Sequence, residues 1–97
     1  MIISEVRIFF IKPKDGLIGF ASLVLEDRLF LGSIGIHKKL NGTGYRLTYP
    51  EKQRGNGSQT VFHPIRRDLS QAIEKAILTE LKNVMERGHD RYGSSDA

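Results

Sequence analysis

Six cations gather in the middle of the chain: Lys38 and Lys39, then Lys52 and Arg54, then the adjacent pair Arg66 and Arg67. With Arg46 they make seven bases between Lys38 and Arg67, against Glu51 as the single acid. Long, flexible cations are the side chains that track a phosphate backbone. The bias is local. From Met1 to Arg67 eleven Lys and Arg face five acids, whereas from Asp68 onward four face six, so the net charge of +4 originates upstream of the last third. Such a patch attracts a polyanion; the bland alternative is a solvated surface that only keeps the protein in solution. Tyr45 and Tyr49 lie between the clusters, where a base would find a ring to stack on, although alternating strand tyrosines more often pack.

Other chemistry is poorly represented. His37, His63 and His89 are scattered and there is no cysteine, so neither a paired-histidine nor a thiolate metal site is spelled out. His63 stands before Pro64 and reads as a structural residue. No serine sits in a nucleophile elbow, and no poised acid–base pair can be named. Gly55-Asn56-Gly57-Ser58 lacks the lysine and the strand–helix frame of a phosphate-binding loop, so its glycines mean flexibility. The chain reads as a non-enzyme without cofactor or metal.

The elements that must position the cations are those of one small domain, since 97 residues do not divide into two pieces with cores. Residues 1–92 are assigned to it, with a frayed tail over 93–97. The amino terminus does not read as a signal peptide, and no apolar run approaches the roughly 20 residues of a membrane span. A cytoplasmic protein is expected.

Ile2–Ile11 alternates as a strand, with Val6, Ile8 and Phe10 on one face; Lys12–Gly16 reads as a turn. Strands follow at about Gly19–Leu25, Leu29–His37 and Tyr45–Tyr49, the last two separated by an Asn41-Gly42 turn. Glu51–Gln59 has no apolar residue and reads as an exposed, mobile loop. Thr60–Phe62 is a candidate fifth strand. Asp68, with Gln71 three residues on, opens a helix whose Leu69, Ala72, Ile73, Ala76, Ile77, Leu81, Val84 and Met85 form an apolar stripe, and Gly88 stops it. The fold class is α+β: an antiparallel meander of about five strands, then one amphipathic helix.

Two features do not fit a lone domain. Glu80 falls inside the apolar stripe, where its carboxylate either snorkels to the edge or meets backbone donors or a base, including one across a subunit interface. Apolar residues also occupy both faces of the first three strands, although one helix covers only one face. Either the sheet curls over itself or a second copy covers the rest, so a homodimer through the first strand and sheet face is expected.

The order of motifs carries a resemblance. Tyr49-Pro50-Glu51-Lys52, a polar glycine-bearing loop, and Val61-Phe62-His63-Pro64-Ile65 before an amphipathic helix resemble the SpoVG (stage V sporulation protein G) family. Its opening strand is similar to Ile3-Ser4-Glu5-Val6-Arg7-Ile8, and its Val-Leu-x-Glu-Tyr to Ile77-Leu78-Thr79-Glu80-Leu81. The resemblance covers about residues 2–84. It implies a bacterial homodimer that binds DNA, with RNA binding among members, and that acts in gene regulation, sporulation and septation. It places Lys52 on the family's Pro-x-Lys lysine, Arg54 in its basic loop, and Arg66 and Arg67 after its His-Pro-Ile. Tyr49-Pro50 replaces the family's Met-Pro, and the segment from Glu86 to Tyr92 replaces its common acidic tail. A protein–protein adaptor of the division or sporulation machinery is the competing reading.

Overall fold

Period-two alternation over the first half of the chain becomes, in the computed structural model, a four-stranded antiparallel meander. Its strands β1 (Ile3–Lys14), β2 (Leu17–Leu25), β3 (Leu29–Lys38) and β4 (Tyr45–Thr48) lie side by side in chain order. A separate two-stranded sheet follows, β5 (Glu51–Arg54) and β6 (Gly57–Thr60), and then one helix, α1 (Arg67–Ser95). The structure describes the backbone of residues 2–95 and the side chains of residues 2–87. The α+β class and the antiparallel meander ending in a helix are as expected. The main sheet, however, has four strands: Thr60 ends β6, and Val61 and Phe62 lie outside any strand.

The first turn is shorter than its composition suggests. β1 continues through Pro13 to Lys14, and only Asp15 and Gly16, both at positive φ (52° and 90°), make the reversal. Proline is tolerated because β1 is an edge strand, whose outer side needs no donor, and because the register already breaks between Phe10 and Lys14. Glu26 and Asp27 make the second reversal, also at positive φ, with Arg28 N–H donating to Leu25 O at 3.0 Å.

Two bulges shape the sheet. Glu5 (φ 49°) sits where β1 slips by one residue against β2, and Ser33 (φ 61°) where β3 does the same. Both slips fall opposite the Ser22–Leu23 pair of β2, from its two sides. Bulges bend a strand and increase its twist, and these two act at the same level of the sheet, on either side of its second strand. A non-glycine residue at positive φ costs on the order of 1–3 kcal/mol, so the surrounding ladder must hold each in place.

The core forms where α1 crosses the sheet. Ile73, Ile77 and Leu81, spaced by four, are buried against Ala21, Leu23, Leu31, Ile34 and Ile36. The other sheet face is left open: Phe9 and Phe20 pair across β1 and β2, Val24 and Phe30 across β2 and β3, and Phe9 and Phe30 remain 60% and 68% exposed. Curling alone therefore does not cover the second apolar face.

The helix departs from expectation at both ends. It begins at Arg67, with Ser70 N–H donating to Arg66 O, so Asp68 lies in the first turn; its Oδ1 accepts from Leu69 N–H at 2.8 Å. At the other end it passes through Gly88 to Ser95. One interior glycine costs about 1 kcal/mol, too little to stop a helix that meets no proline afterwards. Of the tail expected to fray, Asp96 and Ala97 lie outside the described residues, as does the His89 side chain. No helix of the described chain is long and apolar enough to cross a membrane.

Candidate nucleic-acid interface

The polar stretch read as a mobile loop is a paired arm. Glu51, Lys52, Gln53 and Arg54 face Thr60, Gln59, Ser58 and Gly57 in antiparallel register, around a turn in which Gly55 has φ 55°. Its residues are exposed, Thr60 alone being half-buried. The hairpin escaped the period-two signal because both of its faces are wet, so no apolar alternation exists to be seen; its trace in the sequence is the Gly-Asn-Gly turn at the centre of the polar run.

A two-stranded hairpin is marginal in water by itself, and here its root is tied down. Val61 N–H donates to Pro50 O at 2.7 Å, closing the ladder where the chain re-enters the body. Thr60 Oγ1 and His63 Nδ1 are hydrogen-bonded at 2.7 Å, and Ser58 Oγ donates to Glu51 Oε1 at 3.2 Å. Tyr49 and Phe62, flanking the arm in sequence, meet edge to face with ring centres 5.9 Å apart and both pack on the core. His63 thus helps to fix the root of the arm.

The six predicted cations occupy three places. Lys38 ends β3 and Lys39 begins the loop to β4, at the end of the sheet where Lys38 N–H donates to Gly16 O. Lys52 and Arg54 alternate on β5, so they share one face of the arm. Arg66 and Arg67 are adjacent at the start of α1. All six are exposed and none is held in an ion pair among the described residues. Lys52 with Arg54, and Arg66 with Arg67, are each brought together; no bond joins one of the three groups to another. Asp68 takes one of the free amides of the helix start for its own carboxylate, which leaves fewer donors there for a phosphate.

The tyrosines between the clusters are packed. Tyr45 O–H donates to Met85 Sδ at 3.8 Å, and burial, then the charge of Glu74, raises the Tyr49 phenol above its ordinary value of 10.0. Glu80 is half-buried and meets a base, Arg87, whose Nη2 lies 3.4 Å from its Oε2. That partner stands two turns further along the same helix.

His37 is the perturbed histidine. Its Nε2 lies 2.9 Å from Thr48 Oγ1, while Nδ1 is buried without a partner. Burial, then the neighbouring Arg46 across the β3–β4 ladder, lowers its pKa below 6.5, so the ring is neutral near pH 7. A buried orphan N–H costs more than a buried bare lone pair. We therefore assign the proton to Nε2, donated to Thr48, whose own hydroxyl hydrogen then stays available. Gly35 leaves the room: a Cβ there would lie 2.5 Å from Thr48 Oγ1 and 3.2 Å from His37 Nε2. This pair was not singled out from the sequence, because it depends on β3–β4 register. No group of three or more metal-ligating side chains occurs among the described residues.

A search of curated proteins finds no significant match. The SpoVG family profile matches residues 1–83, spanning the sheet, the arm, His63-Pro64 and more than half of the helix; the chain belongs to the SpoVG family.

Proposed function

We propose that this chain is a nucleic-acid-binding regulator, acting on DNA and also on RNA, in the sporulation and septation control that its family membership suggests. The observation that carries the reading is the arm: Lys52 and Arg54 stand together on a root-tethered hairpin, exposed and without an anionic partner among the described residues. Arg66, Arg67, Lys38 and Lys39 extend the same chemistry to the helix start and the sheet end. Phosphate contacts of this kind position a protein on nucleic acid without selecting sequence.

The reading includes a cytoplasmic homodimer. Its contact is the open sheet face of Phe9, Phe20, Val24 and Phe30 with β1 beside it, an apolar surface that a second copy would take out of water. Face packing suits β1 better than ladder extension, since Lys12, Pro13 and Lys14 blunt its free edge. The same exposed phenylalanines favour the second reading, an adaptor that docks another protein and has no affinity for nucleic acid.

Anisotropy titrations of labelled mixed-sequence DNA duplex and single-stranded RNA at two salt concentrations separate the two. If four cations each meet a phosphate of duplex DNA, log K falls with a slope of about −3.6, roughly a hundredfold between about 50 and 200 mM salt. Absence of binding to either ligand at low salt would transfer the assignment to the adaptor.

A further inference from the structure

The root of the arm also borders a cleft. With a volume of about 490 Å³, it lies between the end of the main sheet and the arm, lined by His37, Leu47, Thr48, Tyr49, Glu51 and Thr60. Its size is within the range of small-ligand sites, and its lining mixes apolar walls with a few polar groups, as such sites do. Two of those groups have unused capacity. With the His37 proton assigned to Nε2, Thr48 accepts from that N–H and has its own hydroxyl hydrogen to give. Glu51 has one carboxylate oxygen on Ser58 and the other unassigned. Glu51 is also the only acid among the seven bases of the segment Lys38–Arg67. A carboxylate there repels phosphate, and its oxygen not engaged by Ser58 suits an N–H donor.

We propose that this cleft takes one unpaired nucleobase by the edge that places N–H donors beside a carbonyl, with guanine the preferred base. The Glu51 carboxylate accepts from the ring N–H and the exocyclic amine, and the Thr48 hydroxyl donates to the carbonyl oxygen. Leu47 and Tyr49 line the apolar side of the cleft, and Lys52 and Arg54, on the opposite face of β5 from Glu51, hold phosphates of the flanking nucleotides. Adenine, with an acceptor where guanine has its N–H, faces the carboxylate with a lone pair and is rejected. The inference rests on the nucleic-acid reading above and adds base selection to it: the arm holds the strand while its root reads one base.

Two measurements test it together. The first titrates the free nucleosides guanosine, inosine and adenosine against the intact protein, following the His37 imidazole resonances by NMR. These probes carry no phosphate, so the basic arm does not retain them. Guanosine is expected to move the His37 signals, inosine more weakly because it lacks the exocyclic amine, and adenosine not at all. The second measures anisotropy with a thymine-only oligonucleotide and one of equal length with interspersed guanines. Guanine is expected to tighten binding by about fivefold to a hundredfold, the discrimination of one good bidentate pair.

Glu51→Gln removes a charge while keeping the side chain's size, and it separates base reading from simple electrostatics. On the proposal the variant binds both oligonucleotides with nearly equal affinity. If Glu51 merely damps the positive field, the variant tightens both alike and leaves any ratio unchanged, which overturns the proposal. Oligonucleotides that bind equally to the wild type, with His37 unmoved by guanosine, overturn it while leaving the regulator reading standing. His37 shifts with guanosine but no oligonucleotide binding would keep the cleft and sink the regulator reading. Silence in both measurements sinks both.

Discussion

The body and the arm carry their backbone hydrogen bonds in the same kind of antiparallel ladder, yet they are built from opposite materials. In the body, Leu23, Ile34, Ile36, Ile73 and Ile77 are inaccessible to solvent, and their burial stabilises the fold by roughly 1.5–3 kcal/mol for each side chain. In the arm, Glu51 to Gln59 contains no apolar residue, and what stability it has enters at its root, through Pro50–Val61, Thr60–His63 and Tyr49–Phe62. Folding and binding are therefore separable along the chain. Substitutions in the body act on stability, those along the arm act on ligands, and those at the root act on both.

The largest effect is expected in the body. Ile77→Ala opens a cavity between α1 and the sheet and should cost about 2–5 kcal/mol, read from denaturant midpoints. A cost below about 1 kcal/mol would mean that the helix does not seat on the sheet as described. Next comes the arm. Lys52→Glu with Arg54→Glu should leave the denaturant midpoint within about 0.5 kcal/mol of wild type, as for exposed positions. The same pair should lower the salt slope of nucleic-acid binding by about two. Unchanged affinity would remove the arm from the interface.

At the root, Thr60→Val deletes the hydrogen bond to His63 and should cost about 1 kcal/mol. Hydrogen exchange should report that loss in the amides of β5 and β6 before those of β2 and β3; uniform loosening would make the arm part of the body's cooperative unit. The smallest effect concerns His37. Its folded pKa is lowered, so the unfolded chain binds its proton more readily. That contribution to stability is complete above about 6.5 and falls away as pH drops from there to the lowered folded value. The stability–pH curve of His37→Gln should lack this acid-side decline; a wild-type curve that is flat below pH 6.5 would contradict the buried neutral ring.

Residue types and periods determined much of this protein. Alternation marked the four strands of the main sheet, Asp-Gly and Asn-Gly two of the turns, and the three-and-four spacing from Leu69 to Met85 the helix, because each apolar pattern reports one face turned toward a core. The cations were legible for the same local reason, since charge needs no partner to be recognised. The arm was not, because a hairpin wet on both faces leaves no periodic trace. The bulges at Glu5 and Ser33 were hidden too: each residue is unremarkable in sequence, and its positive φ is imposed by neighbouring strands. Likewise the approach of His37 to Thr48, over the space that Gly35 leaves open, is a matter of register between β3 and β4. Pairings that join distant stretches depend on how strands slide and bend against one another, and that was decided only when the whole sheet closed on its helix.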